Sequence, residues 1–150
     1  MRVLVQRVSE ASVTVDGEVT GQIARGLLLL VGIHDADTDV QLKWMAQKCA
    51  QLRIFEDDAG KMNLSTQDIG GQALVVSQFT LYGDCKKGNR PSFNQAGKPA
   101  FAEQMCERFR VMLQEVLGKP VPAGRFGADM KVRLLNDGPV TLWLERESSA

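Results

Sequence analysis

The chain has 150 residues, with 18 Lys plus Arg against 18 Asp plus Glu and a formal net charge of zero. That length suits one domain spanning 1–150 with a sizeable core, the hydrophobic fraction of 44% is ordinary for a soluble protein, and the balanced charge argues against a DNA-coating or polybasic membrane protein. Three cysteines, Cys49, Cys85 and Cys106, are odd in number and lack a C-x-x-C pair, which points away from a disulfide framework or zinc knuckle and toward reduced thiols in a cytoplasmic protein.

The opening "MRVLVQRVSE" alternates, slips phase at Val8, and carries Arg2 and Arg7, so it reads as a strand and not as a signal peptide. "SVTVDGEVTG" follows, and its Asp16-Gly17 is a two-residue hairpin signal. "GLLLLVGI" reads as a central strand buried on both faces; this longest apolar run, residues 27–33, is far too short to span a bilayer. The period then changes to that of a helix, with Leu42, Met45, Ala46 and Cys49 on one face and Thr38 and Gln41 as a capping box. "LRIFED" is a short strand closed by the turn "DDAG", and "ALVVSQFTL", residues 73–81, is another β-rich run. The loop over residues 82–98 is long for a compact domain and therefore functional or mobile. A second helix starts at Pro99, presents Phe101, Met105, Phe109, Met112, Leu113 and Val116 on one face, and stops at Gly118 and Pro120. "MKVRLL" and "TLWLER" are strands joined through "NDGPVT", residues 136–141, whose first three residues turn the chain, and the final "ESSA" frays. Two helices among seven or more strands predict an α+β fold, a curled or barrel-like sheet with the helices packed on it.

Several motifs fail. "DADTD", residues 35–39, has the acid spacing of an EF-hand, but Val40 replaces the required glycine and Ala46 the closing acid. "GDCKKGN", residues 83–89, lacks the Lys-Ser/Thr ending of a phosphate loop. The one histidine, His34, ends the central strand, which leaves Ser77, Thr80 and Cys85 without an evident base. No metal or other cofactor is expected. A hydrolase of this composition would act on an already activated ester, through a placed water and backbone N–H donors at the developing oxyanion.

Two motifs survive. "SQFTL", residues 77–81, sets Ser, Gln and Thr at the end of an apolar run beside the long loop, where Lys86, Lys87 and Arg90 either meet phosphates or form a solvated charged surface. Read as a strand, it places Gln78 and Thr80 on one face and Ser77, Phe79 and Leu81 on the other. "NDGPVT" is either a plain turn or a rigid edge held out for use.

Together, in this order and in a chain of this length, the two motifs resemble the signature pair of the D-aminoacyl-tRNA deacylases. The likeness extends to "QRVSEASVTVDGEVTGQI", "FEDDAGKMNLS", "RPSF" and "GRFGADMKVRLLNDGPVT". The resemblance implies hydrolysis of the ester between a D-amino acid and the 3′ end of tRNA, activity on glycyl-tRNA, exclusion of L-aminoacyl-tRNA, and a role in translation quality control. It also implies a cytoplasmic, metal-free homodimer in which a cis Gly138-Pro139 reaches into the partner subunit's site, and assistance from the 2′-hydroxyl of the terminal adenosine. In this reading Gln78, Phe79 and Thr80 carry the chemistry, with Gln78 and the N–H groups around Phe79 and Thr80 at the oxyanion and Thr80 in a supporting role. Ser77, Gly138 and Pro139 contact substrate, while Phe126 and Met130 line the pocket or are ordinary core residues. Trp143, on the face opposite Val140, Leu142 and Leu144, wants cover from a second subunit or a helix. The alternatives are a non-catalytic RNA-binding module on the same fold and a Ser or Cys hydrolase using His34.

Overall fold

The computed structural model describes residues 1–148; the last two residues of the expected frayed tail lie outside them. In chain order the elements are β1 (Arg2–Val15), β2 (Glu18–Ile23), β3 (Gly26–Gly32), α1 (Asp39–Gln51), β4 (Phe55–Glu56), β5 (Met62–Leu64), β6 (Gln72–Ser77), α2 (Pro99–Leu117) and β7 (Lys131–Glu145). A 3-10 turn over Phe79–Tyr82 follows β6 directly.

β1 organises the sheet. Along one edge it pairs antiparallel first with β3, Arg2 opposite Gly32, and then with β2, Val15 opposite Glu18. Asp16 (φ 49°) and Gly17 (φ 81°) supply the two positive-φ positions that a tight hairpin needs. Its other edge is taken by β7, from Arg2 opposite Glu145 to Thr14 opposite Lys131. β6 runs parallel to β3, and the 121–124 segment bridges onto β6 at Val75 and Ala123.

The sheet has two apolar faces. Val3 and Val5 of β1 join Leu27, Leu29 and Val31 of β3 under α1 and α2, through Leu42, Met45, Cys49, Phe109 and Leu113. Past the irregularity between Val8 and Glu10, Ala11, Val13 and Val15 join Leu28, Leu74 and Val76 in a second cluster, with Met130, Val132 and Leu134 packed against it. One long strand thus serves both cores because its phase slips at Val8, and the curl of the sheet encloses the second core.

The helices begin and end where local chemistry dictates. Thr38 accepts from the Val40 N–H while Gln41 Oε1 accepts from the Thr38 N–H (2.8 Å), completing the capping box of α1. Pro99 opens α2, and Gly118 (φ 69°) closes it in the left-handed conformation.

Two expectations need correction. "NDGPVT" does not reverse the chain. β7 is one strand of 15 residues, and Asn136 opposite Val8 is followed by Thr141 opposite Gln6, so the intervening residues bulge out while the strand resumes its direction. The side chain of Asn136 closes this bulge by accepting from the Val140 N–H (3.0 Å) and donating to Thr141 Oγ1 (2.9 Å). "SQFTL" is also not all strand. Extended backbone ends at Ser77, and Phe79 onward coils into the 3-10 turn, so the two-face alternation expected for 77–81 does not hold.

Candidate active site

The end of β6 forms one wall of the site. Ser77 is the last laddered residue, opposite Val31, and the Gln78 N–H still reaches the Val31 carbonyl (2.7 Å). The backbone then tightens, and the first bond of the turn is Leu81 N–H to the Gln78 carbonyl (3.1 Å). The Phe79 and Thr80 N–H groups stand ahead of that bond and outside its repeat, as the leading amides of any helical turn do. The Gln78 amide donates to the Thr80 hydroxyl, tying the two polar side chains of the motif together.

Buried Tyr82 anchors the turn. The Arg2 guanidinium lies 4.4 Å above its ring, His34 packs against it with centroids 5.7 Å apart, and burial pushes its hydroxyl above the ordinary tyrosine range. Arg2 also donates to the Leu81 carbonyl (2.9 Å).

A cavity of about 650 Å³ opens beside this wall, and five of the residues expected at the site, Ser77, Gln78, Phe79, Phe126 and Met130, line it together. Thr80 lies next along the turn, exposed and outside the lining. Phe93, Lys98 and Pro99 also line the cavity and were not anticipated. Phe93 packs edge-on against Phe79, with centroids 5.1 Å apart, so the long loop folds back onto the motif. Met130 crosses directly over Gly124, where a Cβ would stand 2.4 Å from its sulfur. That glycine lets the Met130 side chain lie against the wall.

A second cleft, of about 580 Å³, shares Ser77 and Phe126 with the first, which makes Phe126 a partition between them. Two of its charged groups, Arg110 and Glu107, are already paired. Arg110 is held by Glu107, Gln114 and the Val121 carbonyl, its guanidinium lowers the Glu107 carboxyl below the usual range, and burial pushes the Cys106 thiol up to about 12.

Gly138 and Pro139 do not line the cavity of their own chain. They sit exposed at the crest of the β7 bulge, joined by a cis peptide bond, and have no register partner on β1. Beneath them is Arg7, a buried residue whose Nε donates to the Asp137 carbonyl (2.9 Å) and whose Nη1 donates to the Ile54 carbonyl (2.7 Å). A Cβ on Gly138 would stand 2.8 Å from Arg7 Nη2 and 2.9 Å from the Val140 side chain, at a φ of +133° that L side chains rarely adopt. Sequence reading missed Arg7, although a signal existed: it falls in phase with Val3 and Val5, where an apolar side chain belongs.

Side-chain nucleophile chemistry finds little support here. His34 Nδ1 accepts the Ala36 N–H (3.0 Å), and its own backbone N–H is bound by Asp37, so the ring belongs to a structured turn. Burial raises the Cys49 thiol to about 12, which leaves it inert. Among the described residues no three His, Cys, Asp or Glu side chains gather where they could hold a metal ion, and no helix is long and apolar enough to cross a membrane.

Comparison with known proteins points to a family. Residues 4–145 match the family described as D-Tyr-tRNA(Tyr) deacylase. A protein of Brevibacillus brevis named D-aminoacyl-tRNA deacylase is 61% identical over 145 residues, 97% of this chain and 99% of the relative. One of the same name from Chromobacterium violaceum is 56% identical, covering 97% of each chain. Among solved structures, one described as c-Myc DNA Unwinding Element Binding Protein is 42% identical with a TM-score of 0.91, covering 99% of this chain and 100% of that one. Another, a probable eukaryotic D-amino acid tRNA deacylase, is 18% identical with a TM-score of 0.84 over 95% of this chain and 97% of that one; it speaks for the fold alone.

Proposed function

The chain belongs to the D-Tyr-tRNA(Tyr) deacylase family, and from that premise we propose that it hydrolyses the ester joining a D-amino acid to the 3′ end of tRNA, sparing the L-aminoacyl ester and admitting the glycyl ester. The observation that carries this reading is the junction of β6 and the 3-10 turn, where Ser77, Gln78 and Phe79 face one cavity with Phe126 and Met130. An aminoacyl ester is an activated substrate. Its hydrolysis needs an oriented water and donors for the oxyanion more than a strong base. The N–H groups of Phe79 and Thr80, with the Gln78 amide, are the donors assigned to that role. Thr80 holds Gln78 in place through their hydrogen bond. As the tetrahedral intermediate collapses, the ribose oxygen leaves and takes up a proton, with the neighbouring ribose hydroxyl assisting.

Handedness is assigned to Gly138 and Pro139 acting on the site of a second copy. They are exposed and lie off their own cavity, while Leu135 and Trp143 of the same strand are 56% and 48% exposed. A homodimer through this face would cover the tryptophan and deliver the bulge to the partner's site. Carbonyls at the crest accept from the substrate ammonium, and the backbone edge collides with an L side chain while a D side chain points away. This is selection by exclusion, and glycine, having no side chain, passes. The cytoplasm is the compartment this substrate requires.

The test is a paired assay with the same tRNA charged with the D and the L form of one amino acid, and a glycyl arm. Release of the D-amino acid and glycine with the L ester intact is expected. Equal cleavage of the D and L esters refutes the stereochemical reading. Binding of tRNA with no cleavage of any ester gives the non-catalytic RNA-binding reading instead.

A further inference from the structure

We propose that the loop of residues 84–92, which rises beside the cavity, is a phosphate-binding arm for the tRNA backbone that leads away from the 3′ end. The inference rests on the deacylase reading and concerns how the enzyme tells a whole tRNA from its last nucleoside. The loop is a closed unit. Asp84 and Ser92 form a two-way backbone bridge (2.7 and 2.9 Å), Asp84 Oδ1 accepts the Lys86 N–H (3.0 Å), and Gly88 (φ 66°) bends the tip. Its base is fixed to the site. Phe93 packs on Phe79, the Gly97 N–H reaches the Ile33 carbonyl (2.8 Å), and the Lys98 N–H reaches Asp35 (2.8 Å).

Lys86, Lys87 and Arg90 stand exposed on the tip, and among the described residues none of them has an ion-pair partner. Other cations of the chain also lack an ion-pair partner among the described residues, Lys43, Lys61 and Lys119 among them, but these are spread along the sequence, whereas the three of the loop fall within five positions. In a protein of zero net charge, three unpaired cations on one closed loop, whose base carries a residue of the cavity wall, make a local anion-seeking surface. A ligand whose end lies in the cavity and whose body is a phosphodiester chain meets that surface on leaving. Phosphate contacts position such a ligand without reading its sequence.

Two substrates separate this arm from the catalytic wall: a D-aminoacyl-tRNA and the 3′-O-D-aminoacyl ester of adenosine alone. In the triple variant Lys86→Ala/Lys87→Ala/Arg90→Ala, KM for the tRNA should rise roughly 10–100-fold with kcat unchanged. The slope of log kcat/KM against log salt should become shallower by about 2–3, the value for three lost phosphate contacts. Turnover of the adenosine ester should not change. The charge-keeping variant Lys86→Arg/Lys87→Arg/Arg90→Lys should retain the wild-type KM. An unchanged tRNA KM and salt slope in the alanine variant overturns the proposal, as does an equal loss on both substrates, which would make the loop merely part of the wall. If the wild-type protein cleaves neither substrate, the deacylase reading fails, and the arm is judged by binding of uncharged tRNA: the same affinity in wild type and alanine variant overturns it.

Discussion

Replacing Arg7 with methionine removes a group that ties the Gly138-Pro139 bulge to the body of the protein from below. Two charge-assisted hydrogen bonds disappear, to the Asp137 carbonyl at 2.9 Å and to the Ile54 carbonyl at 2.7 Å. Hydrogen bonds of this kind contribute about 1.5–3 kcal/mol each, and Ile54, 6% exposed, is left with an unpaired carbonyl. The weaker contact between Arg7 and the half-exposed Asp137, at 3.8 Å, adds little. Methionine fills most of the arginine volume, so the cavity term is small, and with each bond taken at its lower figure the loss should be about 3 kcal/mol. With a urea m-value of about 2 kcal/mol/M, the unfolding midpoint should fall by about 1.5 M at fixed protein concentration. Arg7→Lys, whose single ammonium cannot reach both carbonyls in the same geometry, should lose about half as much. Function should follow the same order, with D-ester turnover reduced and the D to L ratio narrowed as the crest loses its seat. A methionine variant with the wild-type midpoint and an unaltered D to L ratio would refute the assignment of Arg7 as the anchor of this edge.

Thr80→Ala removes only the acceptor for the Gln78 amide, so turnover should drop by about tenfold, or about 1.4 kcal/mol; abolition in a folded, tRNA-binding variant would overturn the supporting role of Thr80. Gly124→Ala forces the Met130 sulfur to move from a contact of 2.4 Å. That flexible side chain should shift into the cavity, raising KM with a stability loss of about 1 kcal/mol or less; an unchanged KM means that it moves elsewhere. With burial raising Cys49 and Cys106 to about 12, each holds roughly one thiolate in 10,000 at pH 8. A disulfide reagent should therefore label one thiol per native chain, exposed Cys85, and all three after denaturation; rapid labelling of two in the native protein contradicts this.

What the sequence disclosed divides by range. Asp16-Gly17, the Thr38 and Gln41 box, and the Pro99 and Gly118 boundaries were legible because each depends on residues a few positions apart. "NDGPVT" was misread because its continuation as strand is enforced by β1, more than 120 positions earlier in the chain. The end of β6 at Ser77 is likewise decided by its partner β3, since the Gln78 amide takes the last carbonyl on offer, that of Val31. Of the residues expected at the site, Ser77, Gln78, Phe79, Phe126 and Met130 line one cavity. Phe93 and Lys98 were not singled out, because only the folding back of the long loop makes them neighbours of β6.

The pairing of β1 with β7 along nearly their whole lengths has a consequence for synthesis. β1 leaves the ribosome long before its partner β7, to which it is matched from Arg2 opposite Glu145. The chain between Val15 and Glu145 takes roughly 7–26 s to make at about 5–20 residues per second. Throughout that interval β1 can close one edge with β2 and β3, while its other edge stays open to whatever strand it meets. The hairpin can form early, yet the sheet is completed only after translation reaches β7. The bulge that carries Gly138 and Pro139 can therefore take its place against β1 only after that interval.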